Sequence, residues 1–276
     1  MGSRIVNCGS VKPILVADLF APLNDELVAL LRGLDAAEWN APTVAGSWTV
    51  KDIAAHLLDT SMRRLSGPVL DGTFEPNRWN SEWVTAMRRV SPPVLIELID
   101  RYGREAARFL ASLDPLAPAL IPVTWAGDDA SPAWFDVARE LTERWHHQQQ
   151  IRDATGRPPL YDSVYFAPVI ETFVYSLPLA YRDVDAPPGT TVLLRVTDEG
   201  NGAWSLVRED SRWTLWTAAA AAAAFKAAAL PPQSTQTIVT MRGDTAWRLF
   251  TRQPVADRVQ IEGPYGEPLL KAVAII

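Results

Sequence analysis

Histidine and cysteine are almost missing from this chain: 276 residues hold three His and one Cys. A lone Cys8 excludes an internal disulfide, and without a Cys-x-x-Cys pair there is neither a redox dithiol nor half of a cysteine zinc site. So close to the start of the chain, that thiol reads as incidental rather than nucleophilic. Basic runs are absent too. Lys and Arg number 26 against 32 Asp and Glu, giving a net charge of -6 and a pI near 5.2. The positive footprint of a nucleic-acid binder is therefore missing, and DNA and RNA are set aside as partners. No uninterrupted apolar run reaches the roughly 18 residues that cross a bilayer. Met1-Gly2-Ser3-Arg4-Ile5-Val6 lacks a signal-peptide core, so the expectation is a cytoplasmic protein with no membrane partner. What remains is a chain that is 48% hydrophobic, long enough for one large domain or two ordinary ones.

From about residue 14 to 183 apolar residues recur at helical spacing, beginning with Leu15, Leu19, Leu23, Leu27, Leu30 and Leu31, and this half reads as a helical bundle. A second helix is announced at Ser47-Trp48-Thr49-Val50-Lys51-Asp52, with Thr49 as N-cap and Asp52 near the positive end of the helix dipole. A third segment, about 76 to 90, stops at Ser91-Pro92-Pro93, and another runs on to about Leu113; the two also read as one interrupted helix. Ser131-Pro132 reads as an N-cap followed by proline at the first helical position, opening a helix that Gly156 terminates. A last helix spans about 162 to 183.

At Asp185-Ala186-Pro187-Pro188-Gly189 the period changes. Short β-rich runs follow at 192–196, 204–207, 213–216, 237–241 and 259–261, set apart by turn residues as antiparallel strands are. Asp244 to Arg252 and Glu267 to Ile276 look helical. The expected organisation is a helical domain, 1–185, and a small α+β domain, 190–276. The alanine tract Ala218 to Ala224 and Ala227 to Ala229 carries no chemistry.

Two of the three histidines stand out. Glu143 and His147 are four apart in Glu143-Arg144-Trp145-His146-His147, so on a helix they share a face and can share a cation. His56, in Ala54-Ala55-His56-Leu57-Leu58, would supply a third ligand from a distant helix. Two imidazoles and a carboxylate suit a catalytic zinc that keeps a coordination position open for water or substrate. They also describe the facial triad of non-haem iron, and the bland alternative is a pair of hydrogen-bonded core histidines. His146, rotated roughly 100° from His147, should point elsewhere.

The stretch Gly46-Ser47-Trp48-Thr49-Val50-Lys51-Asp52-Ile53-Ala54-Ala55-His56-Leu57, with Glu143-x-x-x-His147 and Ile151-Arg152, resembles the mycothiol-dependent maleylpyruvate isomerase family within the DinB-like metalloprotein superfamily. Asn80-Ser81-Glu82-Trp83-Val84, Gly243 to Arg252 and Val259 to Gly263 extend the resemblance. One departure is Gln150, where relatives often carry an aspartate. The resemblance implies an N-terminal DinB-like four-helix bundle and a smaller C-terminal sterol-carrier-like α+β domain. It implies a divalent ion, zinc by expectation with iron or nickel as alternatives, held by His56, Glu143 and His147. A low-molecular-weight thiol such as mycothiol would be cosubstrate, its thiolate attacking an electrophilic small molecule for isomerisation or S-transfer. A metal-dependent hydrolase and a non-catalytic metal or small-molecule binder remain alternatives.

Weaker candidates lie around this set. Asp59 could orient a substrate or water, though an acid paired with Arg63 is the plainer role. Arg78 and Asn80, with Asn77, could hold an anionic substrate, and Arg242, Arg248 and Arg252 could contact polar groups of a thiol cofactor; ordinary surface charge explains them equally. The tryptophans crowding the helical half read mainly as packing.

Overall fold

The computed structural model describes residues 13–67, 75–126, 130–217, 236–255 and 257–274. Cys8 and the alanine tract lie outside them. Seven α-helices precede the sheet in the described chain: α1 (Phe20–Arg32), α2 (Val50–Ser66), α3 (Pro76–Met87), α4 (Pro92–Ala111), α5 (Ala133–Ala154), α6 (Ser163–Phe173) and α7 (Leu177–Ala180). In α1 the i, i+3, i+4 series Phe20, Leu23, Leu27, Leu30 and Leu31 is buried, as an amphipathic stripe should be. Its later residues, from Leu27 on, meet Leu95 and Ile99 of α4 and Ile53, Leu57 and Leu58 of α2 in one apolar cluster. Gly103 of α4 packs tightly on α1, since an added Cβ would stand 1.9 Å from Asn24 Oδ1.

Helix α2 begins with a reciprocal cap. Asp52 N–H donates to Thr49 Oγ1 at 3.3 Å, and Thr49 N–H donates to Asp52 Oδ2 at 3.0 Å. Asp52 also takes Arg88 Nε at 2.9 Å, tying the end of α3 to the start of α2. Thr49→Ala is expected to cost about 0.5–2 kcal/mol, read as a lowered urea midpoint at unchanged slope.

Helix α5 is buried almost all round: seventeen of its residues, from Ala133 to Ile151, are buried. Such a helix forms the middle of a core rather than its skin. Trp145 donates its indole N–H to Leu160 C=O at 3.0 Å, and its ring lies 5.1 Å from Phe166 and 5.5 Å from Trp247. A second apolar cluster runs continuously from Phe20 and Phe135 through Phe166 to Leu194 and Val239, on two strands of the sheet.

Among the described residues the sheet comprises β1 (Thr191–Thr197), β2 (Gly202–Arg208), β3 (Trp213–Thr217), β4 (Gln236–Arg242) and β5 (Gln260–Glu262), in the order β3-β2-β1-β4-β5. β1 pairs antiparallel with β2 and parallel with β4. That parallel pair departs from the all-antiparallel expectation. Val192, Leu194 and Val196 of β1 and Thr237, Val239 and Met241 of β4 alternate in burial with their neighbours, so one face of the sheet is covered. Helix α8 (Gly243–Phe250) follows β4 directly.

Other expectations need correction. Pro132, not Ser131, stands at the N-cap of α5, and Ser131 Oγ accepts the Val123 N–H at 3.0 Å, serving the preceding loop. Segments 76–87 and 92–111 are two helices. The expected helix at 162–183 is α6, a 3-10 turn (Val174–Ser176) and the short α7; Pro178 has no N–H to continue the ladder. Helical residues 163–180 are apolar and long enough to cross a membrane, yet most of that stretch is buried inside the protein. Near the C-terminal end of the described chain a 3-10 turn (Glu267–Lys271) forms in place of the expected helix, because Ala274 N–H is drawn to Phe250 C=O at 2.9 Å, closing the end of α8.

Candidate metal centre

His56 sits two turns into α2, and Glu143 and His147 lie one turn apart on α5. The packing of these helices brings one ligand atom from each residue within 4.8 Å of the others. His56 Nε2 is 3.0 Å and His147 Nε2 3.2 Å from the same oxygen, Glu143 Oε1. Bonds of about 2.0–2.2 Å to a tetrahedral zinc place neighbouring donor atoms roughly 3.3 Å apart, so both spacings suit a shared cation. The side chains of His56 and His147 are 4% and 9% exposed against 18% for Glu143, so solvent reaches the set from the carboxylate side.

Protonation is constrained by neighbours. His147 Nδ1 lies 2.7 Å from Gln150 Oε1. With that amide oxygen toward the ring, Nδ1 carries the proton and a neutral His147 turns the lone pair of Nε2 toward a carboxylate oxygen. Two acceptors 3.2 Å apart need a positive centre, a proton or a metal ion, between them. Burial pushes His56 below the ordinary imidazole range, against the pull of Glu143. Burial opposes ionisation of Glu143, but hydrogen bonding to His147 and His56 outweighs it and holds the carboxyl well below the usual range. Neutral imidazole beside carboxylate is the state that ligates a cation. The donor set therefore fits a divalent metal. His56 Nδ1 is buried without a hydrogen-bond partner among the described residues, and the ring packs against Trp48, centroids 5.0 Å apart.

Trp48 also stands 6.4 Å from the His147 ring, forming an aromatic wall over both histidines. His146 turns to the backbone: its Nδ1 lies 3.1 Å from Thr142 C=O, and burial, with His147 nearby, lowers its pKa to about 3. Gln150 takes up the contact to His147 even though it stands where an aspartate was expected.

The weaker candidates are dispersed. Asp59 is buried and paired with Arg63 at 2.9 Å. Arg78 is exposed and bonded to Glu82 at 2.8 Å. Asn80 lies on α3 with its Oδ1 buried and without a hydrogen-bond partner among the described residues. Arg242 reaches Asp198 at 2.7 Å, whereas Arg248 is clamped between Asp153 of α5, at 2.7 Å, and Asp244, at 3.0 Å. None of these residues joins the histidine pair in a direct contact among the described residues.

Sequence reading missed a buried ionic clamp beside the triad. Arg64 of α2 reaches both oxygens of Asp136 at 2.7 Å and Glu140 Oε2 at 3.0 Å, both acids on α5. Arg144 adds bonds to Glu140 at 3.2 Å and to Ser61 Oγ at 3.0 Å. A signal existed: Asp136, Glu140 and Arg144 recur every four residues, a polar stripe on a helix with no free face.

Fold and site together define a class: a helical unit and a five-stranded mixed sheet, with a two-histidine, one-carboxylate centre between two helices. Residues 20–152 match the family model described as mycothiol maleylpyruvate isomerase N-terminal domain. Over these residues, just under half of the chain, the protein is similar to the mycothiol-dependent maleylpyruvate isomerase family. It is similar to the crystal structure of the mycothiol-dependent maleylpyruvate isomerase, with 14% identity and a TM-score of 0.52 over 90% of this chain and 92% of that one. A histidine-to-alanine mutant of that enzyme gives 13% identity and a TM-score of 0.47 over 85% of each chain. At these identities the likeness concerns the fold. No curated protein matches the chain.

Proposed function

We propose that His56, Glu143 and His147 hold a divalent cation, zinc by preference, and that the protein uses a low-molecular-weight thiol such as mycothiol to isomerise, or transfer sulfur to, an electrophilic small molecule. One observation carries the reading: two imidazole nitrogens face a single carboxylate oxygen at 3.0 and 3.2 Å, and the other nitrogen of His147 is committed to Gln150. A bound cation supplies Lewis acidity that favours a coordinated thiol as thiolate at neutral pH. Gln150 fixes the ring and tautomer of His147, and Trp48 walls the histidines from water. Glu143, the most exposed of the three, marks the side from which thiol and substrate approach. The thiolate adds to one carbon of a cis double bond conjugated with carbonyls. Rotation about the resulting single bond and expulsion of the thiolate return the thiol unchanged, which is isomerisation; displacement of a leaving group is S-transfer.

In the same reading residues 1–185 form a DinB-like four-helix bundle and 190–276 a sterol-carrier-like α+β domain. Its support is the passage from helices to sheet between Ala180 and Thr191. The test is elemental analysis of protein purified without chelator, followed by turnover of maleylpyruvate with and without mycothiol. About one divalent ion per chain and acceleration by thiol are expected. Metal-free protein would sink the centre, and water-driven turnover indifferent to thiol would replace the reading with a hydrolase.

A further inference from the structure

Far along the chain from the histidines, the end of α8, the segment before β5 and the turn at 267–271 enclose a concavity of about 740 Å³. Its floor includes the partly buried Leu249, Ile261 and Leu270, while exposed Arg252, Arg258 and Lys271 stand around it. Two acids also line it, Asp257 and Glu267, but Asp257 lies 3.4 Å from Arg242, which draws on its charge. None of the three cations has an ion-pair partner among the described residues. In a protein of net charge -6, three such cations against two acids around a hollow of mixed polar and apolar lining leave a local excess of positive charge.

A second, independent observation concerns the backbone. Helix α8 ends with Gln253 N–H donating to Arg248 C=O at 2.8 Å and Arg252 N–H to Leu249 C=O at 3.1 Å, with Arg252 in the left-handed region at φ 55°. Helix α5 ends in the same pattern: Arg157 N–H donates to Arg152 C=O at 2.9 Å, but the left-handed position holds Gly156 at φ 62°. Glycine takes that conformation without the clash that a Cβ brings. At α8 the position carries an arginine despite its steric cost, and the arginine lines the hollow.

We infer that this concavity binds an amphipathic anion, its apolar body on the floor and a carboxylate or phosphate head among Arg252, Arg258 and Lys271. The volume falls within the range of small-molecule sites, about 300–1,000 Å³. Apolar contact supplies most of the affinity, and the exposed cations select the sign of the head and make binding salt-sensitive. The site does not depend on the metal reading.

Calorimetric titration of the full chain with dodecanoate, dodecyl phosphate and dodecyltrimethylammonium, each below its micelle-forming concentration, tests the assignment. At least one anion should bind one per chain, about tenfold tighter than the cation; the tighter anion identifies the preferred head. Arg258→Glu with Lys271→Glu should weaken anion binding about tenfold while the circular dichroism spectrum stays unchanged. Arg252→Gly should melt at a higher temperature yet bind the anion more weakly, separating the side chain's binding role from fold stability. Equal binding of anions and cation, no binding of either anion, or wild-type anion affinity in the charge-reversed variant overturns the inference.

Discussion

Replacing His147 by Ala is expected to empty the centre of metal and lower thiol-dependent kcat/KM about a thousandfold, the equivalent of several kcal/mol of lost metal catalysis. The substitution removes one of three donors and leaves Glu143 facing His56 alone, 3.0 Å away. Gln150→Ala should act more gently. It keeps every donor but frees the ring of His147, so metal affinity should fall about 10–100-fold, with turnover recovered at saturating metal. Metal titration and steady-state kinetics on both variants separate loss of a ligand from loss of its orientation. Stoichiometric metal and full thiol-dependent turnover in His147→Ala would remove the proposed centre.

Arg64→Ala should produce the largest loss of stability, about 3–5 kcal/mol, because it strands Asp136 and Glu140 in the interior without their shared guanidinium. All three side chains are at most 4% exposed. For a chain of this size that corresponds to a fall in Tm of roughly 10 °C, measurable by calorimetry. Replacing Arg64, Asp136, Glu140 and Arg144 together by apolar side chains should recover most of it, since the buried members of the clamp are then all neutral. The acid limb carries the same signature. Burial opposes ionisation of Glu140, yet Arg64, Arg144 and Arg139 outweigh it and hold the carboxyl at about 2, below its ordinary 4.5. A depressed carboxyl stabilises the fold fully above the unfolded value and loses that contribution as pH falls through the folded one. Arg64→Ala should therefore unfold at a higher pH than the wild type during acid titration; an unchanged acid midpoint and Tm would show that the clamp contributes nothing.

Relations within a few residues were legible in the order of the amino acids. Thr49 and Asp52 are three residues apart and cap α2 within one turn, while Glu143 and His147, one turn apart, share a helix face as i, i+4 residues do. Gln150 lies three residues beyond His147, yet its contact could not be read from spacing, since a side-chain rotamer decides it. Arg248 looked like a free cation for a cofactor, and its partner Asp153 is 95 residues away. The parallel pairing of β1 with β4 likewise has no local signature, because strand composition carries little information about direction.

By itself the amino-acid sequence determined where α2 begins, where the period changes near residue 189, and that Glu143 and His147 share a face. Those features depend on hydrogen bonds and side-chain spacings within a few residues. Only the tertiary structure decided that His56 meets that pair, that Arg64 clamps α2 to α5, and that two arginines and a lysine surround a hollow between α8 and β5. These depend on how separate elements pack, and packing is settled by the whole apolar core rather than by any one segment.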